Sequence, residues 1–325
     1  MNALDVALLK ALRTSPAHLP IGELARQLGA LPSHVHARLA ELRAAGFEIE
    51  DHPTLGVRLL SAPDRLIADD IAALLGPCAL VREIVVFEQT ASTNDLAIQR
   101  GRQGAAGGLL ILAERQSAGR GRLGRNWASA SHRGLWFSLL LRPALPLARW
   151  PRLTTWAAVA IAEAIEQMLA LRVAIKWPND LFVNGRKIAG ILAETCTDAG
   201  SQPFAVVGIG VNVNHELEDF PFELAGKAGS LRQAVGKPVD RPALAAAILR
   251  QLDARMSQLD SDFEEIIASA RSRSFLLGRW IQVRAGDAIT EGRAEQLDEN
   301  GHLLLRTADG ALGALSGGEV TVIAS

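Results

Sequence analysis

Cysteine is nearly missing from this chain: only Cys78 and Cys196 occur in 325 residues, far apart and without C-x-x-C or histidine-rich spacing. That scarcity argues against a disulfide framework and a tetrahedral zinc site, so no resident metal is expected and a reducing cytoplasm is the expected compartment. Charge of one sign is not in excess either, with 34 Lys plus Arg against 35 Asp plus Glu, and the chain as a whole advertises no polyanionic partner. Long uninterrupted apolar runs are absent too. The N-terminal "MNALDVALLKALRTSP" carries Asp5, and "TTWAAVAIAEAIEQMLAL" is broken by Glu163 and Glu166, so neither a signal peptide nor a membrane span is expected. What remains is 49% hydrophobic and 21% charged, an ordinary globular composition, over a length that accommodates two or three domains.

The pattern of the chain divides it into three regimes. Residues 1–62 hold three short amphipathic segments, "LDVALLKALRTS", "IGELARQLG" and "PSHVHARLAELRAAG", followed by the strand-like "FEIE" and "GVRLL". Gly29 suits a sharp turn between the second and third helices, and Ser33 stands where an N-cap would open the third. This is the order of a winged helix-turn-helix; a three-helix packing module is the alternative. A boundary is expected near 62. From 63 to 275, strand-like runs alternate with helices, and Asn184-Gly185 between apolar runs is a hairpin signal that disfavours a purely parallel sheet. Residues 276–325 lose helix periodicity and show short strands with turns at Gly286, Asn300-Gly301 and Asp309-Gly310, as in a small β-barrel. The fold class is therefore read as α+β, with a mixed α/β central domain.

Within "AERQSAGRGRLGRNWAS", Gly119, Gly121 and Gly124 spell G-x-G-x-x-G. A dinucleotide site would need a helix after the last glycine and an acidic residue about 20 positions later. Here a loop and a strand follow, and no Asp or Glu occurs between Glu114 and Glu163. The kinase-like "VAIK" at 173–176 fails as well, because H-R-D and D-F-G are missing. Charge is what the segment offers: eight arginines lie between residues 115 and 152 with no acid among them. Glycines can gather backbone N–H groups into an anion nest, and arginine adds a planar fork for phosphate or carboxylate, so a small anion is the expected ligand. A solvated basic loop or an RNA contact is the competing reading.

Other candidates lie at element ends. Lys176 closes "VAIKW" just before the turn-forming Pro178, Asn179 and Asp180, and Lys187 follows the Asn184-Gly185 turn. Ser92, Thr93 and Asn94 sit at a helix start, where they cap the helix or reach a ligand. Gly208 and Gly210 in "GIGVNVN" mark a close backbone approach or a bulge, and Asn212 offers a two-sided amide.

Taken together and in order, "STN" at 92–94, "GRGRLGRNW" at 119–127, "KWPNDL" at 176–181, "RKIAGIL" at 186–192 and "GIGVNVN" at 208–214 resemble the biotin protein ligases. With the helix-turn-helix in front and the barrel behind, the likeness extends over nearly the whole chain and is to the bifunctional ligase and biotin operon repressor type. The resemblance implies an SH3-like barrel at the C-terminus and a two-step activity. Biotin and ATP with Mg2+ give biotinyl-AMP; a lysine of the biotin carboxyl carrier protein of acetyl-CoA carboxylase then attacks the mixed anhydride. It places Ser92, Thr93, Asn94, Gln116, Arg120, Gly121, Arg122 and Lys176 on biotin. It places Arg122, Arg125, Trp127, Lys176, Lys187 and Asn212 on ATP and the adenylate, with Arg122, Lys176 and Lys187 as the catalytic groups. Ser33, His34, His36 and Arg38 would meet operator DNA, read by a ligand-promoted homodimer. Residues 1–62, however, carry six basic and six acidic side chains, without the basic surplus usual in nucleic-acid binders. Two other readings stay open: an anion-sensing transcription factor without ligase activity, and a ligase for a related acid such as lipoate.

Overall fold

Leu8, Leu9 and Leu12 recur on one side of the first helix, as Val35, Leu39 and Leu42 do on the third, and this spacing dictates a helical core. The computed structural model describes residues 2–323. Helices α1 (Ala3–Thr14), α2 (Ile21–Gln27) and α3 (Pro32–Ala44) precede an antiparallel ribbon of β1 (Glu48–His52) and β2 (Gly56–Ser61), and their apolar faces meet in one cluster. Gly29 makes the turn between α2 and α3 at φ 61°. Ser33 does not cap α3. The N-cap is Leu31, and Pro32 takes the first helical position, where its fixed φ and missing N–H cost nothing.

Helix α4 (Ala68–Leu75) belongs to the same unit, which runs to Pro77 and takes in Asp240–Ala246. Its fully buried Asp70 accepts two hydrogen bonds of 2.7 Å from Arg13 of α1. Arg241, also fully buried, donates through Nε to Asp64 Oδ1 at 3.0 Å. These pairs extend the unit past residue 62 because a buried charge must keep its partner.

The second unit comprises Cys78–Val239 and the chain from Ala247 on. Its sheet is built from β3 (Glu83–Thr90), β4 (Leu109–Gln116), β5 (Gly134–Leu141), β6 (Ala174–Lys176), β7 (Asp180–Val183), β8 (Arg186–Thr197) and β9 (Pro203–Asn212), in the order β3-β4-β5-β9-β8-β7-β6. Only the β3–β4 pair is parallel, so the sheet is mixed, and Asn184 and Gly185 form the expected β7–β8 hairpin at φ 51° and 75°. Helix α5 (Thr93–Arg102) covers Phe204, Val206 and Leu140 on one face of the sheet.

Helix α6 (Arg152–Leu169) is buried through most of its length, and the Glu163 that breaks its apolar run is held by Arg255 at 2.6 and 2.7 Å. The remaining helices are α7 (Leu231–Val235), α8 (Arg241–Ala254), α9 (Gln258–Ser261) and α10 (Phe263–Ser272), with α10 packed on α6. No helix of the described residues is long and apolar enough to cross a membrane. Strands β10 (Trp280–Ala285), β11 (Ala288–Leu297), β12 (Leu303–Arg306), β13 (Leu312–Leu315) and β14 (Glu319–Val322) form an antiparallel sheet in the order β13-β12-β11-β10-β14. Gly286, Gly301 and Gly310 sit at its turns with positive φ, as the sequence suggests.

One glycine tests the first unit. Gly56 has φ 96°, and a Cβ there would lie 2.0 Å from the carbonyl oxygen of Leu19, which pairs with Val57. Gly56→Ala should therefore destabilise this unit by about 2 kcal/mol, a combination of left-handed strain and a backbone clash. Urea unfolding followed by circular dichroism should show the lower midpoint.

Candidate ligand site

Strand β9 decides where the site lies. Its side chains alternate between faces, and along one face they run Phe204, Val206, Gly208, Gly210. The first two pack under α5; the glycines leave room beyond it. A Cβ on Gly208 would stand 2.0 Å from Asn94 Oδ1, and one on Gly210 would stand 2.7 Å from the Trp127 ring. Gly190, opposite Gly210 on β8, is held to glycine by the same ring at 2.7 Å. The β9 register is unbroken on both sides, so the glycines serve close approach and not a bulge.

Over this floor opens a cavity of about 600 Å³, lined by Ser92, Thr93, Asn94, Gln116, Arg120, Gly121, Arg122, Arg125, Trp127, Lys176, Lys187 and Asn212. All twelve ligand-contact residues expected from sequence are thus brought together. Ser92 caps α5 through the Asp95 N–H at 3.3 Å, but Thr93 and Asn94 do not cap it. Gln116 Oε1 accepts from the Thr93 N–H at 2.8 Å and from its hydroxyl at 3.1 Å. Asn94 Oδ1 accepts from the buried Ser138 hydroxyl at 2.5 Å, and its Nδ2 donates to Glu194 at 2.8 Å. A chain of neutral amides and hydroxyls, anchored on the Glu194 carboxylate behind it, therefore forms this end of the cavity.

The other end is cationic: six Lys or Arg against two carboxylates line the cavity. Most of the positive charge is matched. Arg120 makes a two-pronged pair with Glu194 at 3.0 and 2.8 Å and reaches Asp95 at 2.7 Å. Arg125 pairs with Glu319 of β14, and Lys187 pairs with Asp180 at 2.7 Å while lying 5.2 Å from the Trp127 ring centre. Lys227 lies exposed at the rim. Arg122 and Lys176 are the exceptions. Both are half-buried, neither meets a carboxylate among the described residues, and Arg122 donates only to the Asn179 amide oxygen at 2.8 Å. Burial pushes both below their ordinary ranges, opposed in each case by Asp180. Trp127 Nε1 is a buried donor with no acceptor among the described residues. Two cations without carboxylate partners face one space, an arrangement that is costly unless an anion enters.

The arginine loop works differently from the anion nest that the glycines suggest. The Gly121 N–H binds the Arg125 carbonyl at 2.7 Å and the Arg125 N–H the Arg122 carbonyl at 3.2 Å, so these amides order the loop itself. Attraction for an anion falls to the side chains. Sequence reasoning missed Glu194, Ser138, Asp95 and Glu319. Glu194 and Ser138 sit on strands at the positions that face Asn94, a signal readable only once the register is known; Glu319 lies nearly two hundred residues from its partner Arg125. Of the expected DNA contacts, Ser33, His34 and His36 are exposed on α3, but Arg38 is tied to Asp5 and, at 2.6 Å, to Glu41. A groove contact by Arg38 would have to break both pairs.

Comparison with known proteins meets this geometry from another direction. Residues 86–214 match the biotin/lipoate A/B protein ligase family, and residues 276–322 match the biotin protein ligase C-terminal domain. The bifunctional ligase/repressor BirA of Bacillus subtilis is 35% identical over 284 residues, 87% of either chain. The biotin–[acetyl-CoA-carboxylase] ligase of Mycobacterium tuberculosis is 34% identical over 238 residues, 71% of this chain and 86% of that one. A solved structure of biotin protein ligase from Aquifex aeolicus in complex with biotin and ATP covers 75% of this chain and 100% of its own at a TM-score of 0.64 and 28% identity. The ordered motifs, the glycine floor and the relatives agree: this chain belongs to the biotin protein ligase family.

Proposed function

We propose that the protein joins biotin to ATP as biotinyl-AMP and then passes biotin to a lysine of the biotin carboxyl carrier protein of acetyl-CoA carboxylase. The observation that carries this reading is the pair of half-buried cations without carboxylate partners, Arg122 and Lys176, beside a polar cradle of the size of a small molecule. A carboxylate and an α-phosphate repel each other; two fixed cations in a water-poor site hold them together and stabilise the charge that builds as they react. Mg2+ arrives with ATP as part of the substrate. No enzyme nucleophile is required.

On this reading Ser92, Thr93, Asn94 and Gln116 take the neutral end of biotin, and Arg120 and Gly121 belong to the loop that covers it. Arg122 and Lys176 meet the biotin carboxylate and the phosphate. Arg125, Trp127, Lys187 and Asn212 surround the adenylate. The relatives are named for biotin, which favours it over lipoate, and they are named as ligases, which favours catalysis over anion sensing alone. Three domains complete the proposal: a winged helix-turn-helix at 1–62, a catalytic domain at 63–275 and an SH3-like barrel at 276–325. The helix order, the positive φ of Gly29 and the β1–β2 ribbon support the first; the antiparallel order β13-β12-β11-β10-β14 supports the last.

Arg122→Gly should remove a charge-assisted bond worth about 1.5 to 3 kcal/mol and speed biotinyl-AMP dissociation by roughly ten- to a hundred-fold. Stopped release of radiolabelled adenylate measures it, and an unchanged rate would remove Arg122 from the site. Lys176→Gln should slow biotin-dependent ATP–pyrophosphate exchange by about 10² or more while biotin binding suffers less. Because burial lowers the Lys176 pKa and the charged form is the active one, exchange by the unaltered protein should decline with rising pH earlier than an ordinary lysine would allow. Lys176→Arg should lose that alkaline decline, since a guanidinium stays charged. The same assay with lipoate in place of biotin decides between the two acids.

The N-terminal unit is read as an operator-binding module. With no basic surplus one copy gains little from counterion release, so a homodimer on an inverted repeat is required, and ligand that favours the dimer tightens DNA binding by linkage. A gel shift on an inverted repeat from the protein's own biotin-gene promoters should appear with biotin plus ATP and fade without them. A protein that stays off that DNA in both conditions, with ligase activity intact, is a single-function ligase.

A further inference from the structure

Beside the first cavity opens a second, of about 300 Å³. Arg122, Leu123, Trp177, Pro178, Ile191 and Leu192 line both, so the two spaces share a wall that includes Arg122. Further lining comes from the start of α6, with Thr154 and Thr155, and from the turn between β11 and β12, with Asn300, Gly301 and His302. That turn is held firmly. Arg152 donates to Asn300 Oδ1 at 2.9 Å, the Trp177 indole to the Gly301 carbonyl at 2.9 Å, and Asp298 Oδ1 accepts the N–H groups of Asn300 and His302 at 2.8 Å each. Asp298 Oδ2 lies 3.0 Å from His302 Nδ1. A carboxylate at Nδ1 keeps a proton on that nitrogen and leaves the Nε2 lone pair as an acceptor.

The transfer half-reaction needs such an acceptor. A lysine reaches the enzyme as an ammonium, which has no lone pair for attack. Among the residues lining the first cavity no carboxylate is free to take its proton: the two present, Asp180 and Glu319, are bound by Lys187 and Arg125. In the second cavity the titratable side chains are Arg122 and His302, and arginine stays protonated.

We propose that the second cavity admits the acceptor lysine and that His302 removes its proton, an assignment that rests on the ligase reading above. His302 Nε2 takes one proton from the ammonium, and the freed lone pair forms the C–N bond at the acyl carbon of biotinyl-AMP. The C–O bond to the phosphate breaks, AMP leaves with that electron pair, and the surplus proton on nitrogen passes to water. The histidine then returns its own proton to solvent.

The test uses the full-length protein loaded with biotin and MgATP, mixed in a single turnover with a lysine-bearing carrier domain or with hydroxylamine. Hydroxylamine is uncharged near neutral pH and needs no base. In His302→Gln the ratio of lysine transfer to hydroxylamine capture should fall about 10²-fold at neutral pH and recover as the pH rises and free lysine amine appears. His302→Asn, a smaller change at the turn, should show the same fall if the Gln variant does not fold. An unchanged ratio, or an equal loss with both nucleophiles, overturns the role of His302. Failure of the unaltered protein to form any adenylate would sink the ligase reading instead.

Discussion

Two positive charges held half out of water without carboxylates are the constraint on which the site turns. Arg120, Arg125 and Lys187 are neutralised by Glu194 with Asp95, by Glu319 and by Asp180, and those pairs fix the walls of the cavity. Arg122 and Lys176 remain, pushed below their ordinary ranges by burial. The folded protein bears the cost of desolvating them, and an anionic ligand relieves it. On the proposed function, affinity and catalysis arise from the same imbalance, because charges already desolvated and fixed need no rearrangement as the phosphate becomes more negative.

What allows this imbalance to persist is the sheet beneath it. Helix α5 and the arginine loop lie on the same face, and the change from Phe204 and Val206 to Gly208 and Gly210 marks the border between packed core and ligand floor. Asn94 and Trp127 rest directly on backbone there. A rigid central strand, hydrogen-bonded on both sides, thus sets the depth of the cavity to within the size of a methyl group.

Much of this was legible in the residues. The alternation of strand and helix and the hairpin at Asn184-Gly185 follow from local patterns, since each depends on neighbours a few positions away; that Ser92 to Asn94, the arginine loop, Lys176 and Lys187 share one site was legible only through the resemblance of their ordered motifs to the biotin protein ligases. The rest depends on register and on distance along the chain. Glu194 and Ser138 look like ordinary strand residues until pairing brings them onto the face of Asn94. Ser33 misleads because Pro32 before it already satisfies the helix start. Gly208 and Gly210 allow two readings, and only an unbroken ladder decides between them. Arg38 looks like a groove contact until Asp5, on another helix, is found beside it.

The pairing of Arg125 with Glu319, and the cavity lining contributed by Gly318 and Val320, have a temporal meaning. The catalytic sheet is complete once residue 212 has been synthesised, yet the wall of its cavity comes from a strand that begins at residue 319. A chain emerging from the ribosome therefore carries the glycine floor, the arginine loop and Lys176 for the time needed to make another hundred residues without an enclosed site. One wall of the cavity is therefore the last part of it to be made, and Arg125 has no carboxylate partner there until β14 is laid down.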